Sequence, residues 1–162
     1  MARRLRPVGL DFIDVAPVRL VFGAQVSAPA EAVYQALADE VEGWPRWFRA
    51  VTLARPTYGG AGREIGLMGG VRMQETIMAA DPERRYAYRV DTTNAPGVHA
   101  LLEEWRLTPA GTGTHVRWTF AADGPAVFRL ALTAARPALG HSFRTAVRTL
   151  DGRLSVRRAQ GR

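Results

Sequence analysis

SAPAEAVYQALADEVEGWPRWF, residues 27–48, joins the end of a strand to an amphipathic helix and closes on a turn bracketed by Trp44 and Trp47. Pro29 suits the first turn of a helix, where its missing N–H costs nothing, and Glu31 sits where the helix dipole favours a carboxylate. Ala32, Val33, Ala36 and Leu37 then form one apolar face. Upstream, Leu20, Phe22, Ala24 and Val26 alternate with other residues from Arg19 onward, the pattern of a half-buried strand.

Downstream, residues 50–58 and 63–68 read as short strands around the glycine-rich turn at 59–62. Longer strands follow over 71–80, 85–92, 99–109 and 114–122, separated by DPER, NAPG and AGTG, three tight-turn combinations. Such short links make an antiparallel up-and-down order the simplest connection. One face then carries Met73, Glu75, Ile77, Tyr86, Tyr88, Val90, Leu101, Glu103, Trp105, Leu107, Val116, Trp118 and Phe120 toward the interior. The opposite face, with Arg72, Gln74, Arg85, Arg89, Glu104, Arg106, His115, Arg117 and Thr119, is expected to meet water.

The chain continues through Gly124-Pro125 into a helical region where Leu139, Phe143, Ala146, Val147, Leu150 and Leu154 recur at helical spacing. Pro137 lacks the N–H that would bond to Thr133, so a kink or split is expected there. The preceding PAVFRLALTAA is apolar nearly all round and reads as buried in preference to a pocket mouth or lid.

Taken together, AP-x-x-x-V-x-x-x-L-A-D, the W-P-x-W turn, the strand series and the long terminal helix resemble the START-like polyketide cyclase/dehydrase and lipid-transport superfamily, SRPBCC, over residues 18 to 159. The resemblance implies an α+β helix-grip fold: a seven-stranded antiparallel sheet wrapped around a kinked C-terminal helix, with two short helices after the first strand and a ligand cavity between. It implies a single ligand-binding domain over 18–162, with residues 1–17 an arm that packs on the sheet or stays mobile. Members of this superfamily transport lipids or cyclise polyketides.

Composition narrows the chemistry. The 162 residues include no cysteine, which removes disulfides and thiolate metal sites and fits a reducing, cytoplasmic setting. All 22 basic residues are arginine, so lysine Schiff-base chemistry is excluded. The net charge of +7 is compatible with anionic partners, among them a weakly held anionic membrane surface, but a solvated basic surface together with coding bias is the preferred reading. Arg85, Arg106 and Arg117 align across three strands without exposed aromatic residues for base stacking, which speaks against nucleic acid. Three histidines without ligand spacing give no metal site, and the 58–62 loop fails the dinucleotide fingerprint because Ile65 stands where glycine is needed; no cofactor is expected.

The turns set a register in which Tyr86 faces Trp105, Tyr88 faces Glu103, Trp105 faces Trp118 and Glu103 faces Phe120, with Glu75 diagonal to Tyr88. Glu75, Tyr88 and Glu103 are therefore the candidate acid, base and oxyanion groups of a cyclase or dehydratase. The reading preferred for each glutamate is that it is satisfied by a tyrosine hydroxyl, or by an arginine such as Arg49 or Arg63, and holds the sheet together, since satisfied buried acids are commoner than catalytic ones. Trp47, Phe48, Met73, Tyr86, Trp105, Trp118, Phe120, Phe128, Leu139 and Phe143 are the candidate walls of a cavity for a lipid or polyketide-like molecule. Superfamily cyclases tend to place arginine inside the cavity, whereas most strand arginines here point outward. Binding or transfer thus ranks ahead of catalysis, and oligomeric state is not set by these residues.

Overall fold

The structure is a computed structural model and describes residues 1–161. In chain order its elements are β1 (Arg3–Arg4), α1 (Phe12–Val15), β2 (Val18–Val26), α2 (Ala30–Tyr34), β3 (Val51–Thr57), β4 (Gly62–Leu67), β5 (Arg72–Asp81), β6 (Arg85–Thr93), β7 (Ala100–Ala110), β8 (Gly113–Asp123), α3 (Ala126–Ala134) and α4 (Arg136–Gln160). The main strands form one antiparallel sheet in the order β2-β8-β7-β6-β5-β4-β3, curved around α4 in the helix-grip arrangement. Register follows the turns: Tyr86 pairs with Trp105, Tyr88 with Glu103, Trp105 with Trp118 and Glu103 with Phe120.

Pro29 lies one residue outside α2, as its N-cap. The helix widens into a π-helical stretch over Gln35–Asp39 and tightens into a 3₁₀ stretch over Val41–Arg46. Trp44 fastens this bend, because its Nε1 donates to the Leu37 carbonyl at 3.0 Å. Trp47 and Phe48 follow at ring separations of 4.9 and 6.1 Å from Trp44. The WPRWF segment therefore closes one end of the sheet with stacked aromatic rings.

The outward face is only partly wet, contrary to the sequence expectation. β1 pairs with the end of β6, where Arg3 meets Thr93, and the Arg6 N–H donates to the His99 carbonyl, so the arm fills the gap between β6 and β7. Val8, Phe12 and Ile13 then pack on Ala100, Leu102 and Ala121. These small or aliphatic residues give the arm a seat that alternation does not show. Glu104 and Thr119 are buried on the same face. Glu104 pairs with both Arg85 (2.5 Å) and Arg106 (2.9 Å), so much of the arginine row is neutralised from within.

α4 packs on the sheet through its central turns. Phe143, Ala146, Val147, Leu150 and Leu154 are buried, and Phe143 stacks on Trp118 at 5.9 Å. Asp151 pins this stretch: it accepts from the N–H groups of Ser27 (3.0 Å) and Ala28 (3.0 Å) and from Ser27 Oγ (2.9 Å). Pro137 splits the helical region outright, standing in the first turn of α4. α3 is not buried as its composition suggested. It holds no buried residue, because only Phe128 and Leu132 turn inward while Val127 and Leu130 turn to solvent.

Candidate ligand cavity

Where α3 and the start of α4 stand away from the sheet, a cavity of about 280 Å³ opens. Its walls come from the concave side of β3 to β8, from the WPRWF segment and from the α3–α4 junction. Sequence-predicted residues Phe48, Met73, Glu75, Tyr88, Glu103, Trp118, Phe120, Phe128 and Leu139 line it. Trp47, Tyr86, Trp105 and Phe143 do not. Trp105 and Phe143 are sealed in the aromatic stack, Trp47 packs edge-on against Trp105, and Tyr86 opens instead onto a separate polar groove beside Tyr34 and Asp39. Alternation assigns a face; it does not say which positions the closing helix covers.

Arg63, Trp44, Ile65 and Leu67 are lining residues that the expected set lacked. The signal was present for Arg63, which shares period-two parity with Ile65 and Leu67 on β4. The rim residues Val71, Ala95, Val98 and Leu132 lie in loops or on α3, where no periodicity marks a cavity.

The inner end is polar. Arg63, 2% exposed, forms an ion pair with Glu75 through Nε, and its guanidinium lies over the rings of Tyr88 (3.7 Å) and Trp44 (4.3 Å). Burial works against the Arg63 charge, but Glu75 and the two tyrosines outweigh it and keep the guanidinium protonated. Burial pushes the Glu75 carboxyl above its usual range, with Arg63 opposing. Such a pair is charge-compensated, and Glu75 is not a free base.

Glu103 is placed differently. Tyr88 donates its hydroxyl proton to Glu103 Oε2 at 2.8 Å, and Trp118 Nε1 donates to the same oxygen at 2.9 Å. Tyr88 in turn accepts from Trp105 Nε1 at 3.0 Å. No donor among the described residues reaches Oε1. Burial, reinforced by the nearby Glu75 charge, pushes the Glu103 carboxyl up to about 7, against the pull of Tyr88, Arg63 and Trp118. With Oε2 already accepting twice, the proton of neutral Glu103 belongs on Oε1. When neutral, Glu103 therefore offers an O–H donor at the polar end of an otherwise largely apolar chamber, which Ser142 also lines.

Comparison with known proteins agrees with this architecture. The sequence profile of the family described as polyketide cyclase / dehydrase and lipid transport matches residues 18–155. A protein of Mycobacterium tuberculosis, described as uncharacterized, is 32% identical over 150 residues, covering 88% of each chain. Among solved structures, XoxI of Bacillus cereus superposes with a TM-score of 0.69 at 16% identity, over 85% of this chain and 95% of that one. A START superfamily protein from Mycobacterium smegmatis superposes with a TM-score of 0.59 at 12% identity, over 78% and 96%. At such identities the structural likeness speaks to fold alone.

Proposed function

Since the chain belongs to the polyketide cyclase / dehydrase and lipid transport family, we propose that its cavity binds or carries a compact hydrophobic molecule bearing one carbonyl or hydroxyl oxygen. Size limits the ligand. The cavity is about 280 Å³, whereas a cavity of ~150 Å³ accommodates one benzene ring, so roughly two rings fit. A long acyl chain or an extended poly-ketone would need α3 to lift. The observation that carries the reading is Glu103, a cavity-lining carboxyl whose Oε1 no donor among the described residues reaches, set among largely apolar walls.

A cyclase or dehydratase is the second reading, favoured by a Glu103 carboxyl that titrates near 7, in the range useful for a general acid or base. Two facts weigh toward binding. Glu75 is committed to Arg63, and the Tyr88 hydroxyl already donates its hydrogen bond to Glu103. An acid–base pair would leave at least one of these groups free for substrate.

The test uses 2-acetylnaphthalene, a two-ring ketone, titrated by quenching of tryptophan fluorescence. Binding should weaken by about tenfold as pH rises through the Glu103 transition, because the donor to the ketone oxygen is lost. Glu103→Gln, whose amide still donates, should bind with little pH dependence. A native protein that ignores the ketone, or binds it equally across that range, would defeat the reading. An enzyme would show instead as turnover of a ketone substrate that falls ~10²-fold or more in Glu103→Gln at unchanged affinity.

A further inference from the structure

α3 carries an unpartnered apolar face on its outer side. Val127, Leu130, Ala131 and Ala134 follow helical spacing and all are exposed, Val127 at 75% and Leu130 at 72%. Met68, 60% exposed, stands at the tip of the β4–β5 loop. That loop belongs to the same rim, since Leu67 and Val71 on either side of it line the cavity together with Phe128 and Leu132 of α3. Asn94 ties the neighbouring loop to it, donating to the Gly70 carbonyl and accepting from the Arg72 N–H. Three of the seven large exposed hydrophobic residues therefore surround one opening.

The helical segment beside this opening carries charge of a single sign. Between Asp123 and Asp151 the sequence holds Arg129, Arg136, Arg144 and Arg148 and no acidic residue. Arg49, just before β3 and next to the lining residues Phe48 and Ala50, is exposed as well. None of these five arginines forms an ion pair among the described residues, although Arg136 donates to the Val21 carbonyl at 3.4 Å and lies over the Phe22 ring. This differs from the outer sheet face, where Glu104 occupies two of the three aligned arginines.

We infer that the α3 rim docks on an anionic lipid bilayer, with Val127, Leu130 and Met68 entering the headgroup boundary and the arginines meeting lipid phosphates. An apolar helical stripe edged by arginine is the arrangement that lies in a membrane interface, with aliphatic stems in the boundary and guanidinium groups at headgroup level. A protein partner fits less well. A nine-residue helix is ~14 Å long and ~10 Å wide, so its outer face is far below the ~800 Å² per side of a stable protein interface. The inference rests on the proposed ligand reading in one respect: an apolar ligand would pass between bilayer and cavity without crossing water.

Flotation of the full chain with phosphatidylcholine vesicles, with and without about 30% phosphatidylglycerol, tests it. The protein should float with the anionic vesicles, less so at high salt, and not with the neutral ones. Val127→Glu/Leu130→Glu should lower partitioning by about tenfold or more while leaving melting temperature and 2-acetylnaphthalene affinity unchanged, because both side chains are exposed. Arg129→Gln/Arg136→Gln should weaken flotation and flatten its salt dependence. The inference is overturned by failure to float with anionic vesicles, or by a glutamate variant that floats as well as the native chain. It is also overturned if that variant converts a dimer to a monomer in sedimentation, which would make a second copy the occupant. Flotation without ketone binding would sink the ligand reading and leave the docking surface standing; ketone binding without flotation would do the reverse.

Discussion

Arg63→Met is expected to destabilise the protein by about 3–5 kcal/mol, the largest effect of any single polar substitution considered, because it leaves Glu75 buried without a counter-charge. Arg63 and Glu75 are 2% and 3% exposed, so water cannot replace the lost partner. The same change removes the cation stacked on Tyr88 and Trp44. For a domain of this size the melting temperature should fall by roughly 10 °C. Arg63→Met/Glu75→Leu should recover most of the loss, since replacing both members of a buried pair with apolar groups is often neutral or better. Thermal melts at neutral pH decide the matter. A single variant within ~1 kcal/mol of native, or a double variant no better than the single, would show that the pair does not behave as a compensated unit.

Stability should decline as pH rises, and Glu103 is the cause. Its carboxyl titrates at about 7 in the folded chain against an ordinary value of 4.5, so the folded state holds a proton that the unfolded state releases. Wherever the folded state binds more protons, stability falls with pH. The Glu103 contribution is thus fully present below about 4.5 and is lost progressively as pH climbs through about 7. With ~1.4 kcal/mol per pKa unit, the span amounts to about 3 kcal/mol. Glu103→Gln should remove this slope and make the variant more stable than native above pH 8, with Tyr88 and Trp118 donating to its amide oxygen. Denaturant melts of both proteins at pH 5 and pH 8.5 provide the comparison. Parallel profiles would place the titrating group elsewhere.

The order of β5 to β8, the β6–β7 and β7–β8 registers and the inward face were legible in the sequence because DPER, NAPG and AGTG fix where each hairpin turns and a period of two does the rest, whereas no turn signals the pairing of β2 with β8 or the two register shifts between β5 and β6. The pairing of Tyr88 with Glu103 follows directly. Depth was not legible. Tyr86 and Trp105 have the same parity as Tyr88 and Glu103, yet the 3₁₀ stretch over Val41–Arg46 and Phe143 lie near them, while α3 stands off from Phe120 and Met73. α3 misled for a related reason: an all-round apolar helix has two faces to bury, and the fold supplies a wall for only one of them. Glu104 was assigned to water because nothing local in β7 records that residues from the far N-terminus come to rest on Ala100 and Leu102. Arg63 could have been assigned to the cavity by parity, and it stood beside Arg49 as a partner for either glutamate, but choosing Arg63 with Glu75 required the β4–β5 register.

The Asp151 contacts with Ser27 and Ala28 fasten α4 at one end only. Its opposite end passes through the break at Pro137 into a nine-residue segment that buries no side chain fully. Amide protons over 143–154 should therefore exchange only through global unfolding, whereas those of α3 should exchange through local opening at little free-energy cost. Residence time and melting temperature then become independent properties of one rod: substitutions before the break tune how long a guest stays, and substitutions after it tune whether the host holds together.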